Sequence, residues 1–492
     1  MNRMACILAD RRCAFGLLLV ALVQAGVATL NADVTWLITV VEEITRGAVP
    51  YVDMIETNPP AAFLIYWPQV RAAQDLGVTP EALVSASVFV FAGISLGLGS
   101  LVLRYASWID APLRGALLNA ALFTLVLMPG FSFAEREHIA ALSVLPFICQ
   151  LAVEARGQSL PLILRIGCAM LAALAVIIKP HFGAALALPL IWLAWKLRSP
   201  TVLWRWDRWL IAGMALAYVG FVLWAYPDFV QIVPLLFETY VALYSPLREV
   251  FAAPWFIEHC VLVVIFGITC ACWRVPLIAQ LLMAASLGFL LAYAVQLKGW
   301  VNHGLPGVAL ALCACALGLF ARLRLLPEGD AIGQRLIMFV VTPGLFYSVI
   351  LFGATLPWTG HELYPGLTKM VREAMPPSAR MMALTGQLDI GHPLVRQVGG
   401  RWVGRSHSTW SAHFALALLE QGRGSPERLR HYIELDLEGF VLDVRKHQPQ
   451  ILLSDDDPDT LRIMSRPVMA ALFARYQRIG EASGVTVWRL KG

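Results

Sequence analysis

Long apolar stretches separated by short polar ones fill the first 355 residues of this 492-residue chain. A helix needs about 20 apolar residues to cross a bilayer. About eleven stretches approach that length, near 14–31, 83–103, 114–131, 138–154, 160–178, 182–197, 209–226, 257–273, 276–296, 304–321 and 336–355. The pattern predicts an α-helical polytopic membrane protein, with residues 1–355 as its membrane domain and an outer loop at 31–82.

The pattern changes after Leu356, where charged residues become as frequent as in soluble domains. Short β-prone runs alternate there with helical ones. We predict strands at Arg380–Leu384, Gln450–Ser454 and Val485–Leu490, and helices at Glu427–Lys446 and Ile463–Glu481. Residues 356–492 are therefore expected to form a small α/β extracytoplasmic C-terminal domain.

Composition supports the membrane assignment, since 58% of residues are hydrophobic and only 14% are charged. Soluble domains carry about 25% charged residues. The net charge of +5 gives no case for a nucleic-acid partner. The cysteines end at Cys315 and indicate no disulfide framework. The first apolar run is long for a signal peptide, so we expect it to be retained as a helix.

The polar connections alternate in charge, which predicts the topology. One set is rich in arginine, and the positive-inside rule places it in the cytoplasm. The other set contains the acidic first loop and faces outwards, as does everything after Leu356. The chain is therefore expected to be multi-pass in the inner (plasma) membrane, with a cytoplasmic N-terminus and a periplasmic C-terminal domain.

Carboxylates are concentrated directly after the first span. Five of them (Asp33, Glu42, Glu43, Asp53 and Glu56) accompany the single cation Arg46 before the chain reaches Asn58-Pro59-Pro60. Such groups at the mouth of a helix bundle are costly unless they are solvated, paired or used in chemistry. Helix capping and loop solvation are the structural alternatives. A second acidic run, Asp455-Asp456-Asp457, is interpreted as a solvated strand-to-helix loop.

Cations at the predicted outer helix ends run against the positive-inside bias. They are Arg136, Lys179, His181, Lys298 and His303, accompanied by Glu137, His138 and Trp300. Cations gathered there could stabilise the charge of a phosphate group. Self-paired salt bridges, snorkelling and interfacial anchoring are the alternatives. Carboxylate and imidazole mixtures leave a divalent metal open, but no ligand spacing is diagnostic, and no cofactor is assigned.

The first outer loop resembles that of a known enzyme family. A carboxylate follows the first helix, and Gly47-x-x-Pro50-Tyr51-x-Asp53 and Asn58-Pro59-Pro60 complete the loop. This is similar to GT-C glycosyltransferases that use polyprenyl-phosphate-linked sugars, of the protein-mannosyltransferase and aminoarabinose-transferase type. The resemblance implies that Asp33 is the general base. Many members carry a second acidic residue directly after it, where this chain has Val34.

The sequence thus predicts sugar transfer from a polyprenyl-phosphate donor to a periplasmic or outer-leaflet lipid, glycan or protein, by inverting single displacement. Asp33 is the predicted catalytic residue. The predicted substrate-binding residues are Asp53, Glu56, Arg136, Glu137, His138, Lys179, His181, Lys298, Trp300 and His303. A transporter or flippase of lipid-linked sugars is the alternative, although transporters place ionisable groups near the bilayer midplane, often with repeated halves. The sugar and the acceptor stay open.

Overall fold

The computed structural model describes residues 9–27, 29–325, 344, 364–376 and 378–491. The chain forms two compact units, each assembled from separate segments. The first unit comprises Met1–Ala28, Ser85–Gly220 and Ser245–Thr359, and the second comprises Thr29–Val84, Phe221–Tyr244 and Gly360–Gly492. The predicted span at 336–355 lies outside the described residues except for Gly344.

Helices make up most of the described chain. In chain order they are α1 (Arg11–Val27), α2 (Ala32–Thr45), α3 (Ala61–Leu64), α4 (Trp67–Leu76), α5 (Pro80–Leu103), α6 (Ala111–Leu122), α7 (Arg136–Glu154), α8 (Leu162–Ile178), α9 (Ala184–Leu197), α10 (Trp206–Ala225), α11 (Pro227–Leu235), α12 (Leu247–Ala252), α13 (Pro254–Cys272), α14 (Leu277–Gln296), α15 (Val301–Leu325), α16 (Leu367–Ala374), α17 (Leu388–Gly391), α18 (Leu394–Gln397), α19 (Trp410–Glu420), α20 (Pro426–His447), α21 (Pro458–Met464) and α22 (Pro467–Phe473).

Six of the described helices are long and apolar enough to cross a membrane, namely α5, α7, α10, α13, α14 and α15. They correspond to six of the eleven predicted spans, and the full count of eleven is not confirmed. The predicted spans at 114–131 and 160–178 appear as the shorter apolar helices Ala111–Leu127 and Leu162–Ile178. The helix α7 is buried along its whole length, which makes it the central helix of the first unit.

Small residues allow helices of the first unit to approach closely, as is common in membrane bundles. At Gly288 on α14, an added Cβ atom would lie 2.5 Å from the Cα atom of Ala185 on α9, and closer still to the Ala184 carbonyl. At Gly307 on α15, it would lie 2.7 Å from Nδ1 of His259. Glycine at these positions is therefore a condition of the packing.

Buried charges at the far end of α7 form a closed network. The Arg208 guanidinium donates to Oε2 of Glu154 at 2.6 Å and also to Asp207, and Arg165 donates to Oδ1 of Asp207 at 2.8 Å. Gln150 donates to Oε1 of Glu154 at 2.9 Å. Each carboxylate thus has cationic partners, as burial of charge requires. Arg165 and Arg208 belong to connections that the sequence assigns to the cytoplasmic side.

The second unit contains a five-stranded sheet with the order β2-β1-β3-β5-β4. Its strands are β1 (Arg380–Leu384), β2 (Arg401–Trp402), β3 (Ile451–Asp455), β4 (Tyr476–Ala482) and β5 (Val485–Leu490). The first three strands are mutually parallel, with Met381 paired to both Trp402 and Ile451, and β5 is antiparallel to β3 and β4. The strands predicted at 380–384, 450–454 and 485–490 are present.

One sequence prediction in this unit is wrong. The helix predicted over 463–481 is two short helices, α21 and α22, followed by the strand β4. The strand forms because Tyr476–Ala482 pairs with Val485–Leu490 across the tight turn at Ser483 and Gly484, both of which have positive φ. Tertiary pairing here overrides the helical pattern of the segment.

We predict that Gly288→Ala destabilises the first unit, because the added methyl group would collide with the backbone of α9. Overpacking of this kind costs about 1–3 kcal/mol, so the melting temperature of the detergent-solubilised protein should fall. Gly213→Ala on α10 is the matched control, since no atom lies within 4 Å of its added Cβ. Equal melting temperatures for the two variants would contradict the close packing of α14 on α9.

Candidate active site

Three helix ends of the first unit bring charged side chains together. The helix α7 begins with Arg136 and Glu137, α8 ends just before Lys179, and His303 lies in the first turn of α15. A carboxylate in the first turn of α7 also interacts favourably with the helix dipole. These positions were predicted separately as outer helix ends, and the structure places them in one cluster.

The cluster is centred on Glu137, whose side chain is fully buried. The Lys179 ammonium donates to Oε1 of Glu137 and lies 3.5 Å from Nε2 of His303. The same histidine nitrogen is 3.6 Å from Oε1 of Glu137. Within the described part of the chain, Oε2 of Glu137 has no hydrogen-bond partner. The ion pair therefore fixes the position of the Lys179 ammonium, while Oε2 of Glu137 stays available for a further hydrogen bond.

Further predicted residues surround this pair. The positive charge of Arg136 also acts on Glu137, and burial together with the nearby Lys179 charge lowers the pKa of His181 to about 4. The Trp300 ring packs on His303 with 5.2 Å between ring centroids, and Nζ of Lys298 lies 6.0 Å from the Trp300 ring centre. We name Arg136, Glu137, Lys179, His181, Lys298, Trp300 and His303 the cation cluster.

The cation cluster has the chemistry of an anion site. Arg136, Lys179 and Lys298 supply cationic side chains, and a neutral His181 can donate one hydrogen bond. The buried position of Glu137 weakens solvent screening, so each charge acts more strongly than in water. A phosphate oxygen bonded to Lys179 would receive a charge-assisted hydrogen bond, the stronger kind. Trp300 is 42% exposed and presents a ring face on which a sugar could stack.

His138 has a structural role in the same region. Its Nδ1 atom accepts from the backbone N–H of Ala134 at 3.1 Å, and Nε2 lies 2.6 Å from the Leu125 carbonyl. Both ring nitrogens are thus bonded to backbone and secure the turn that precedes α7. No group of three or more potential metal ligands occurs among the residues that the structure describes. A role for His138 in substrate binding stays a prediction.

The acidic first loop belongs to the second unit, where two of its carboxylates pair with arginines far along the chain. The Arg396 guanidinium donates to both oxygens of Glu42, at 2.8 and 3.0 Å, and also to Glu81. Arg401 donates to Glu43 at 2.9 and 3.2 Å. These contacts attach α2 to the C-terminal segment. No sequence motif marks them, since the partners are separated by more than 350 residues.

Two more carboxylates of the loop stabilise its own backbone. Oε2 of the buried Glu56 accepts from the Trp36 indole N–H at 2.6 Å, and Oε1 accepts from the Asn58 backbone N–H at 3.0 Å. Oδ2 of Asp53 accepts from the Val49 backbone N–H at 2.9 Å. Asn58 thus holds Glu56 in place at the start of the Asn-Pro-Pro turn. Direct substrate binding by Asp53 and Glu56 stays a prediction.

Asp33 is positioned by the start of α2. The side chain of Asn31 caps this helix by accepting from the Val34 backbone N–H at 2.9 Å. Asp33 lies in the first turn, half-buried, where the helix dipole favours a carboxylate. The short helix α17 packs against α2, and it carries Asp389, a residue that the sequence reasoning missed. The charges of Asp33 and Asp389 interact, so the two carboxylates lie in one neighbourhood.

The second unit also contains a cluster of aromatic rings around Trp36. The His392 ring packs between Trp36 and Trp402, with centroid distances of 5.3 and 4.8 Å, and the His407 ring contacts Trp36 at 5.6 Å. His392 is completely buried, and neither of its ring nitrogens has a hydrogen-bond partner among the described residues. Burial lowers the pKa of His407 to about 3 and that of His392 well below its usual range.

No protein-family model and no curated protein sequence matches the chain. Solved structures do resemble it. ArnT from Cupriavidus metallidurans bound to undecaprenyl phosphate is 12% identical with a TM-score of 0.52, over 97% of both chains. The apo form of the same protein is 12% identical with a TM-score of 0.53, over 96% of both chains. The chain therefore shares its fold with ArnT, and the resemblance noted in the first loop is confirmed at the level of fold.

The aromatic cluster predicts acid sensitivity. An unfolded histidine titrates near pH 6.5, whereas folded His392 and His407 titrate well below that. As pH falls from about 6.5 towards about 3, the unfolded chain takes up protons that the folded chain excludes. Stability is therefore complete above about pH 6.5 and falls below it, by up to about 1.4 kcal/mol per pH unit for each histidine.

Melting temperatures of the full-length protein between pH 7.5 and 4.5 test this expectation. His392→Phe should reduce the pH dependence of the melting temperature by the contribution of one histidine. It also removes two ring nitrogens that have no hydrogen-bond partner among the described residues. His431→Gln is the control, because His431 is exposed. An unchanged pH dependence in His392→Phe would show that His392 is protonated equally in both states.

Proposed function

We propose that this protein is a membrane glycosyltransferase that takes a sugar from a polyprenyl-phosphate donor. The observation that carries the proposal is the cation cluster, in which three helix ends of the first unit join around Lys179 and Glu137. The shared fold with a transferase that was solved with undecaprenyl phosphate supports it. The acceptor would be a periplasmic or outer-leaflet lipid, glycan or protein, and the enzyme would reside in the inner membrane with its C-terminal domain in the periplasm.

The cation cluster would bind the phosphate of the donor. Lys179 would donate to a phosphate oxygen, with Arg136 and Lys298 adding positive charge. Negative charge grows on the bridging oxygen as the sugar departs, so fixed cations stabilise the transition state more than the ground state. Glu137 would hold Lys179 in position, and Trp300 would contact the sugar.

Asp33 would act as the general base, as the family resemblance implies. It would accept the proton of the acceptor hydroxyl while that oxygen forms a bond to the anomeric carbon. The bond from this carbon to the phosphate oxygen breaks in the same step, and the electron pair leaves with the polyprenyl phosphate. A single displacement inverts the anomeric configuration.

The decisive experiment combines donor binding and sugar transfer. Mass spectrometry of cell-envelope glycolipids and glycans, with and without the gene, would reveal the transferred group. Purified protein in liposomes should then consume the lipid-linked sugar and release free polyprenyl phosphate. Movement of an intact lipid-linked sugar between leaflets, without release of polyprenyl phosphate, would favour a flippase instead.

Lys179→Ala should weaken binding of undecaprenyl phosphate roughly 10- to 100-fold, because it removes a charge-assisted hydrogen bond. Equilibrium binding to the protein in nanodiscs measures this loss. Lys179→Arg keeps the charge and should retain more affinity. Lys196→Ala is the matched control, since that exposed lysine bonds to Gln280 at 2.7 Å instead. Equal affinity of Lys179→Ala and wild type would remove Lys179 from the phosphate site.

Asp33→Asn should lower the transfer rate by about 10²–10⁴-fold, the usual contribution of a general base. Binding of undecaprenyl phosphate should stay near the wild-type level, because Asp33 is assigned to the acceptor. Asp75→Asn is the control, as Asp75 forms an exposed ion pair with Arg71 at 3.2 Å. Near-normal turnover in Asp33→Asn would exclude Asp33 as the base.

A further inference from the structure

The parallel strands of the second unit create a crevice at one edge of the sheet. From β1 the chain passes to β2 on one side, and it then crosses over to β3 on the other side of β1. The strand order therefore reverses between β1 and β3. In open α/β sheets, ligands bind outside the carboxyl ends of the strands at such a switch point.

Polar side chains occupy that edge. Thr385 follows β1 directly, and its hydroxyl donates to Oδ2 of Asp455, the last residue of β3. Asp455 is only 7% exposed, yet its Oδ1 atom has no hydrogen-bond partner among the described residues. Asp389 follows β1 on the short helix α17, and the Tyr364 hydroxyl lies 3.1 Å from its Oδ1 atom. We name Tyr364, Asp389 and Asp455, together with Asp33, the switch-point crevice.

Asp33 joins this crevice because α17 packs on α2. Burial raises the pKa of Asp389, and the charges of Asp455 and Asp33 raise it further. No described Lys or Arg forms an ion pair with Asp389 or Asp455. Grouped carboxylates of this kind repel one another, and Asp455 also holds a buried oxygen unsatisfied. A ligand that donates hydrogen bonds would offset both costs.

We propose that the switch-point crevice binds carbohydrate hydroxyl groups of the acceptor. Sugar hydroxyls are neutral donors that suit carboxylate oxygens, and Tyr364 can serve as donor or acceptor. Asp389 and Asp455 would hold the sugar, while Asp33 would receive the proton of the hydroxyl that reacts. This assignment rests on the proposed function, and it specifies an acceptor that is itself glycosylated.

Saturation-transfer NMR on the full-length protein in nanodiscs tests the crevice without any transfer reaction. The probes are simple methyl glycosides of glucose, mannose and glucosamine at millimolar concentration. Wild type should bind at least one of them. Asp389→Asn and Asp455→Asn should each weaken the apparent affinity roughly tenfold or more, since hydrogen bonds to charged groups are the stronger ones. Tyr364→Phe should weaken it less.

Asp456→Asn is the matched control, because Asp456 is the exposed neighbour of Asp455 and should bind as wild type does. The melting temperature, measured on every variant, reports whether the second unit is still folded. The crevice assignment would be overturned if the wild type bound no glycoside. It would also be overturned if Asp389→Asn and Asp455→Asn both bound glycosides as the wild type does. Binding of Mg²⁺ alone, without glycosides, would overturn it in favour of a cation site.

The two proposals fail separately. The crevice variants could lose glycoside binding in a protein that binds no undecaprenyl phosphate. That result would support the carbohydrate site and refute the transferase. Confirmed transfer with glycoside binding unchanged in the crevice variants would leave the transferase and refute the crevice.

Discussion

The buried ion pair of Lys179 and Glu137 is the interaction on which the first unit's candidate site depends. A charge in a low-dielectric interior must be paired, because removing it from water costs several kcal/mol. The pair therefore ties the end of α8 to the start of α7, and His303 brings the start of α15 to the same point. The far end of α7 follows the same rule, where Glu154 is matched by Arg208. Charged groups are thus paired at both ends of α7, a helix that is buried along its whole length.

The requirement that buried charges be paired also explains the carboxylates of the acidic first loop. Five carboxylates in a short stretch suggest an open negative surface, yet Glu42 and Glu43 are neutralised by Arg396 and Arg401. Glu56 accepts hydrogen bonds from the Trp36 indole N–H and the Asn58 backbone N–H. These three therefore hold the second unit together. Asp33 and Asp455 both act electrostatically on Asp389, so these three carboxylates lie in one neighbourhood. Carboxylates that act on one another in this way shift each other's pKa values, and such shifts are frequent where protons are transferred.

Patterns along the sequence predicted those helices and strands that local interactions determine. Six of the eleven spans predicted from apolar length are present as helices that can span a membrane, and the strands predicted from β-prone runs at 380–384 and 485–490 are present. The helix predicted over 463–481 failed at 476, because pairing with β5 decides that segment. The link from Glu42 to Arg396 could not be predicted, since neither residue has a local signature and only the fold brings them together. The residues of the cation cluster were named from the sequence because cations at outer helix ends contradict the positive-inside bias, and their role in substrate binding stays a prediction. The pairing of Lys179 with Glu137 was not predicted.

Glu137 lies at the centre of the proposed phosphate site, where its negative charge would repel phosphate, but it would also assist turnover. Glu137 pairs with the Lys179 ammonium before any ligand binds, so the lysine does not lie unpaired in a buried site. An incoming phosphate must then share Lys179 with Glu137, so part of the attraction is offset in the bound state. Uniformly tight binding would not raise turnover and would retain the lipid phosphate after the sugar has left. A cation that is already partnered can stabilise the leaving group and still release the product, which suits a site that must be emptied in every cycle.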